Sequence, residues 1–166
     1  MTDELLHIDQ KIIEILKTVS DPEIPVLSIV DMGVVRAAKM NDDVVEVQIT
    51  PTYSGCPAMD VIGDDIISAF NQNGLKAKVE LVLSPAWTTD WITAEGRKAL
   101  EKYGIASPLS ADADKEALLG NKKIVKCPQC GSLNTKLVSQ FGSTACKALF
   151  QCDDCLEPFD YFKCLK

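Results

Sequence analysis

The sequence predicts an α+β protein: a small two-layer domain followed by a C-terminal module stapled by cysteines. Three observations carry this. Apolar residues recur at helical and strand spacing in the order helix–strand–strand–helix–strand–helix over the first hundred residues. Four of the seven cysteines form two C-x2-C pairs near the end of the chain. An Ala-, Ser- and Asp-rich stretch lies between the two regions. The expected divisions are 1–104, a linker at 105–122, and the module at 123–166.

Leu5, Ile8, Ile12, Ile15, Leu16 and Val19 make one apolar face of a first helix. Asp21-Pro22 ends it, because the residue before proline is pushed out of the helical region. Asp21-Pro22-Glu23-Ile24-Pro25 then reads as a stiff turn presenting two carboxylates. Asp31-Met32-Gly33 leads into a strand over Val34–Met40, and Asn41-Asp42-Asp43 turns the chain back. The return strand, Val44–Ile49, puts Val45, Val47 and Ile49 on one face. A second helix from Pro57 buries Met59, Ile62, Ile66, Ala69 and Phe70, and Asn73-Gly74 stops it. A third strand over Lys76–Leu83 turns Ala77, Val79, Leu81 and Leu83 inward. Thr93 caps a last helix that ends before Gly104. Within 105–122 only Lys115–Leu119 carries a helical turn.

The 166 residues are 46% hydrophobic and 25% charged, which describes a globular chain. No apolar run approaches the ~20 residues of a membrane span. The opening Met1-Thr2-Asp3-Glu4 lacks the basic region of a signal peptide, so a cytoplasmic protein is expected. Net charge is −7 and uneven. Residues 121–166 hold seven Lys against four Asp or Glu, while the rest hold ten Lys or Arg against twenty Asp or Glu. Four thiolates on a divalent ion leave the C-terminal part near neutral, which argues against nucleic acid as a partner.

Cys127-Pro128-Gln129-Cys130 and Cys152-Asp153-Asp154-Cys155 each offer two thiolates from a tight turn. Together they suit a tetrahedral four-sulfur zinc site, and the strand-like runs between them, Thr135–Gln140 and Ala148–Gln151, make the module a zinc ribbon. A redox dithiol or an iron–sulfur cluster is the alternative. A module this small needs such a staple to fold. Phe159, Tyr161 and Phe162 read as exposed aromatics suited to a protein surface or to the other domain. Cys146 and Cys164 lie outside the pairs. They are either buried thiols or part of a second, labile metal site shared with Cys56.

Cys56 follows the second strand and precedes Pro57, a residue favoured at the first helical position. Read as the N-cap residue, it meets unpaired backbone N–H groups and the positive end of the helix dipole, and both favour thiolate, while Asp60 one turn further in works against them. Gly55 allows a sharp turn, and Thr50, Thr52 and Ser54 place hydroxyls nearby. The alternative is a small hydrophobe capping a helix. A cysteine–histidine nucleophile pair is disfavoured, since the one histidine, His7, falls in the first helix.

Three motifs in order, Asp21-Pro22-Glu23-Ile24-Pro25, Asp31-Met32-Gly33-Val34-Val35 and Thr50-Pro51 through Cys56-Pro57, resemble the iron–sulfur-cluster assembly domain of bacterial SufT-type maturation factors and their eukaryotic cytosolic relatives. The resemblance covers residues 1–104. It implies that Cys56 is the functional cysteine, with the acidic turn near it, and makes Asp21, Glu23, Asp31, Thr50 and Thr52 site candidates. Phe141-Gly142-Ser143-Thr144-Ala145-Cys146-Lys147 and the ending Phe162-Lys163-Cys164 extend the resemblance to an accessory-subunit family of bacterial phenylacetyl-CoA ring epoxidases. It implies a non-catalytic helper in phenylacetate catabolism that assembles or maintains metal centres, with structural zinc and transient iron or an iron–sulfur cluster. The implied partners are the epoxidase's reductase or diiron oxygenase subunits and the iron–sulfur assembly machinery. A homodimer is compatible with it, and so is a purely structural role in the oxygenase.

Overall fold

The computed structural model describes residues 9–119 and 124–163. They form two compact units. The first is the chain up to Trp87 together with Trp91–Gly96; the second is Thr88–Asp90 and the chain from Arg97 onward. The division falls inside the last helix of the expected first domain rather than after it.

In the first unit, α1 (Gln10–Lys17) buries Ile12, Ile15 and Leu16, and the Asp9 carboxylate caps it by accepting the Lys11 N–H at 2.8 Å. Leu5 and Ile8 of the expected helix lie outside the described residues. The expected stiff turn is a hairpin, β1 (Ser20–Asp21) against β2 (Ile24–Ser28). Asp21 Oδ1 accepts the N–H groups of Glu23 at 2.8 Å and Ile24 at 3.0 Å, and so closes the turn around Pro22. Prolines at 22 and 25 masked these strands in the sequence.

β3 (Val35–Asn41) and β4 (Val44–Ile49) pair antiparallel, and β4 pairs parallel with β5 (Lys76–Leu81). A parallel pair needs a crossover, supplied by α2 (Ala58–Gln72), which buries Met59, Ile62, Ile66 and Phe70. Val45, Val47 and Ile49 of the central β4 are fully buried. The expected inward face of the third strand is corrected at its end. The strand stops at Leu81, and Leu81 and Leu83 are 52% and 65% exposed. β5 is an edge strand, and only Ala77 and Val79 are even half-buried.

Trp91 closes the unit at the turn before β3. Gly33 has φ +74, and a Cβ there would lie 2.7 Å from the Trp91 carbonyl oxygen, so only glycine fits. The Arg36 guanidinium lies 3.7 Å from the Trp91 ring centroid. The Trp87 indole N–H donates to the Met32 carbonyl at 3.0 Å.

α3 (Ala94–Tyr103) starts as expected, with the Thr93 hydroxyl accepting the Gly96 N–H at 3.0 Å. The expected linker is part of the second unit's structure. It contains β6 (Ile105–Ala106) and α4 (Ala111–Leu118), the latter followed by the described Leu119. β7 (Thr135–Ser139), β8 (Lys147–Cys152) and β9 (Pro158–Phe162) complete a sheet of order β6-β9-β8-β7, in which β6 runs parallel to β9. Ala106 and Ala117 join Val125, Ala148, Phe150, Phe159 and Tyr161 in one core. Small side chains carry the "linker" into that core, which is why its composition looked like a spacer.

The expectation of exposed aromatics is overturned. Phe159, Tyr161 and Phe162 are all buried in or beside β9. Phe159 stacks on Phe150 with centroids 5.9 Å apart, Tyr161 meets Phe150 edge-on at 5.4 Å, and the Tyr161 hydroxyl accepts the Leu109 N–H at 3.2 Å. Burying each such side chain is worth roughly 1.5–3 kcal/mol, and Phe159 and Tyr161 belong to the module's core, not to a docking face.

Candidate functional site

The Cys56 loop leaves the C-terminal end of β4. The Thr50 N–H donates to the Val34 carbonyl at 2.9 Å, fixing the loop's first residue beside the turn that holds Gly33. Thr50 is 1% exposed, and its hydroxyl has no hydrogen-bond partner among the described residues. Such a group costs roughly 1–3 kcal/mol, so its retention is a deviation that packing alone does not explain. Thr52 is also buried. Gly55 sits at φ +77 with open space around its missing Cβ, so backbone conformation alone selects glycine there. The Cys56 N–H donates to the Tyr53 carbonyl at 3.3 Å, which completes the turn.

Helix α2 is entered one residue later than the sequence suggests. Pro57 has helical dihedrals but no capping side chain, and the regular helix begins at Ala58. Cys56 still accepts at the helix start. Its carbonyl takes the Met59 N–H at 3.4 Å, and its sulfur takes the Ala58 N–H.

The expected thiolate does not follow. Burial pushes the Cys56 thiol above its ordinary value, outweighing the Ala58 N–H and a bond from the Tyr53 side chain, and the negative charges of Glu23 and Asp21 push the same way. The sequence reading counted the helix dipole and missed both the half-burial of the sulfur and the sign of the acidic turn. It also missed Tyr53, which contacts the sulfur directly. No bond from Thr50, Thr52 or Ser54 is among the causes acting on that sulfur.

Asp21 and Glu23 therefore do come close enough to act on Cys56, while Asp21 also builds its own turn. Asp31 is different. Its carboxylate accepts from the Ser28 hydroxyl at 2.7 Å and the Thr93 hydroxyl at 2.9 Å, so it pins the 91–96 segment to the β2 turn.

In the second unit the four paired cysteines converge. Their sulfurs all lie within 4.8 Å of one another, the one such cluster of three or more Cys, His, Asp or Glu ligand atoms among the described residues. Cys127–Cys155 and Cys130–Cys152 are 3.7 and 3.6 Å apart. A tetrahedral ion with sulfur at ~2.3 Å sets its ligands ~3.8 Å apart, so the cage fits a zinc-sized metal. The two knuckles match. Cys127 N–H donates to Ser132 O at 2.9 Å and Cys152 N–H to Glu157 O at 3.0 Å. Each turn is completed by a left-handed residue after the second cysteine, Gly131 at φ +78 and Leu156 at φ +66. Asn134 joins them, with its amide donating to Asp154 Oδ1 at 2.8 Å and its carbonyl accepting the Asp153 N–H at 2.8 Å. Crowding sets the thiols against each other. The Cys155 N–H favours thiolate at Cys152 and holds it down to about 7. At Cys155 the Glu157 N–H favours thiolate, but burial and the other three sulfurs push it up to about 12.

Cys146 stands apart from this cluster. It is buried, with its sulfur 3.1 Å from the Thr144 hydroxyl. Cys164 lies outside the described residues.

Comparison with known proteins agrees with this division. A family model described as an iron–sulfur cluster assembly protein matches residues 9–81, and one described as the PaaD zinc β-ribbon domain matches residues 111–163. The chain is 49% identical over 152 residues to an Escherichia coli K12 protein described as a putative 1,2-phenylacetyl-CoA epoxidase subunit; the match covers 91% of this chain and 90% of that one. It is 35% identical over 98 residues to a Porphyromonas gingivalis protein described as an Fe-S protein maturation auxiliary factor, covering 57% of this chain and 92% of the other. A crystal structure of a DUF59 domain from Bacillus anthracis superposes with a TM-score of 0.51 at 26% identity, covering 54% of this chain and 88% of that one. No helix among the described residues is long and apolar enough to cross a membrane. The chain belongs to the PaaD family of phenylacetyl-CoA epoxidase subunits, in which an iron–sulfur-assembly-type domain is joined to a zinc β-ribbon.

Proposed function

We propose that this chain is a cytoplasmic, non-catalytic maturation factor for a phenylacetyl-CoA ring epoxidase, handling iron or an iron–sulfur species through Cys56 as cargo. The observation that carries this reading is the character of the Cys56 site. It offers one half-exposed soft ligand beside two carboxylates, and no closed cage of three or more ligand atoms forms there among the described residues. A site with one strong ligand and open positions takes cargo and gives it up, because a recipient's ligands can replace its own.

The raised thiol fits this use. The negative potential of Glu23 and Asp21 that disfavours thiolate is the same potential that favours an arriving cation. Binding then expels the thiol proton and leaves a neutralised site. Tyr53 and the Ala58 N–H orient the sulfur. The buried Thr50 hydroxyl supplies a donor or acceptor held ready at the base of the loop.

The four ribbon cysteines would hold a resident zinc that shapes the second unit. The proposed partners are the epoxidase subunits, the reductase's iron–sulfur centre before the diiron site, and the iron–sulfur assembly machinery. In this reading the N-terminal domain carries the cargo.

The test is iron and acid-labile sulfide per epoxidase complex isolated from cells carrying wild type, Cys56→Ala, or no copy of this chain. The proposal expects both the mutant and the null complexes to be underloaded and inactive. The 49%-identical relative is described as part of an epoxidase, which favours a second reading, a structural component of the oxygenase. That reading expects a null complex that is fully loaded but falls apart, and a mutant complex that is normal.

A further inference from the structure

Strand β5 ends one side of the first unit's sheet, and no strand among the described residues pairs with its outer edge. One bond shows which backbone groups face outward. The Val82 N–H donates to the Ile49 carbonyl at 2.8 Å, so it points toward β4. The two-residue period then turns the peptide groups of Lys78 and Glu80 toward β4 and those of Ala77, Val79 and Leu81 outward. Such a row is a template for another strand.

The side chains say which strand fits. The register sets Lys39, Glu46 and Lys78 side by side across β3, β4 and β5. Lys39 and Glu46 form an ion pair at 3.1 Å. Charges alternate along this row, and it reaches the edge on a cation. The next row on the same face holds Ala37, Gln48 and Glu80, and reaches the edge on an anion. The Gln48 amide donates to one Glu80 oxygen at 3.1 Å and leaves the other oxygen for a further partner. On the opposite face Ala77, Val79 and Leu81 lie beside the buried Val45, Val47 and Ile49, yet Leu81 is 52% exposed.

We propose that β5 is the docking edge for a second copy of this chain, whose own β5 adds antiparallel about a two-fold axis at Val79. The pairing joins two three-stranded sheets into one. Val79 meets Val79, and Ala77 of each copy meets Leu81 of the other. All of these carry outward peptide groups, so each pair exchanges both N–H···O bonds. Between them, Lys78 of each copy lies opposite Glu80 of the other, at the closer, non-hydrogen-bonded positions. The alternating row then continues from Lys39, Glu46 and Lys78 onto the other copy's Glu80. The register is selective. Moving the axis one residue either way sets Lys78 against Lys78 or Glu80 against Glu80, and like charges directly opposite are destabilising. An axis between residues sets outward peptide groups against inward ones. An edge lysine commonly blunts strand addition; Glu80, two residues on, makes this edge complementary to itself. Leu81 gains Ala77 of the other copy as a neighbour on the apolar face. The contact is isologous and closes at two chains. Because β4 and β5 are parallel, the two Cys56 loops emerge at opposite ends of the joined sheet, and the pairing holds whichever role Cys56 has.

The test is sedimentation of the purified full chain over a range of concentrations, for wild type, Lys78→Glu, Glu80→Lys and an equimolar mixture of the two variants. The wild type should be a dimer in equilibrium with monomer. Each single reversal opposes like charges at both Lys78–Glu80 positions and should raise the dissociation constant about tenfold or more. The mixture should restore dimer, one chain of each variant, because every opposed pair again has opposite signs. A second measurement needs no variant. The amide protons of Ala77, Val79 and Leu81 should exchange slowly with deuterium in the wild-type dimer and faster on dilution. A wild type that is monomeric at every concentration overturns the proposal and leaves the edge to a strand of another protein. A dimer that both reversals leave unchanged, variants that fail to combine when mixed, or fast exchange at those three amides in the dimer overturns it as well.

Discussion

The four-cysteine knuckles and the Cys56 loop are both thiol sites at turns, built by opposite means. In the ribbon, two matched turns bring four sulfurs within 4.8 Å, and hydrogen bonds through Asn134 join the turns. In the first unit a single sulfur stands at a helix entrance, half-buried, with carboxylates acting on it and, at the loop's base, a buried hydroxyl with no partner among the described residues. The first arrangement supplies all four ligands that a tetrahedral ion takes. The second leaves positions open. Thiol chemistry alone does not separate a resident metal from a passing one; the number of preorganised ligands does.

The largest effect that can break this contrast is removal of a knuckle ligand. Cys127 is 1% exposed within the second unit's core. Cys127→Ser should abolish stoichiometric zinc and unfold that unit, since metal binding in such modules supplies about 10 kcal/mol or more of folding free energy. The first unit should stay folded on its own apolar core. Elemental analysis and amide NMR of the mutant read both halves, and zinc retained at full stoichiometry contradicts the assignment.

The first unit depends instead on close backbone packing, and Gly33 is where that is most exposed to test. A methyl group there meets Trp91 at 2.7 Å and must adopt φ +74. Gly33→Ala should destabilise this unit by about 2 kcal/mol or more in urea unfolding, without changing zinc content.

Much of this contrast was legible in the sequence. The C-x2-C spacing gave the ribbon site, and the strand Val44–Ile49 followed by Gly55-Cys56-Pro57 gave the loop and the helix after it. The failures share a cause. The sequence shows which residues are adjacent along the chain but not which are covered. Phe159 and Tyr161 looked exposed because their partners, Phe150, Ala106 and Leu109, come from separate segments. Cys56 looked activated because the helix dipole is local, whereas the burial and the Asp21–Glu23 charges that reverse it are tertiary. The bond from Thr93 to Asp31 was illegible because the two residues are sixty-two positions apart.

A smaller effect sharpens the reading of Cys56. Because its thiol is raised, alkylation by iodoacetamide at neutral pH should be slower than in the denatured chain. The rate should keep climbing at pH values where denatured thiols have levelled off. The folded state holds this proton more tightly than the unfolded chain. Its stabilising contribution is therefore complete below the ordinary thiol pKa and is lost as pH rises through the raised folded value. Cys56 should still label faster than the buried Cys146. A Cys56 rate already at its plateau near pH 7 contradicts the direction of the shift.

The smallest expected change in stability is at Thr50. Replacing a buried, unpartnered hydroxyl by a methyl of the same shape should be neutral or stabilising by up to about 1 kcal/mol. If the hydroxyl serves the cargo, Thr50→Val should nonetheless lower iron uptake. Stability gained with uptake unchanged would show Thr50 to be a packing residue.

The most direct test of the account is anaerobic reconstitution of purified chain with ferrous iron and sulfide, followed by brief exposure to a chelator and metal analysis. The account predicts two populations in the wild type: zinc that the chelator leaves in place, and iron that it removes. Cys56→Ala, at a capping cost of about 1 kcal/mol or less, should keep the zinc and take up no iron. Equal iron in wild type and Cys56→Ala, or iron displacing zinc from Cys127, Cys130, Cys152 and Cys155, would contradict it.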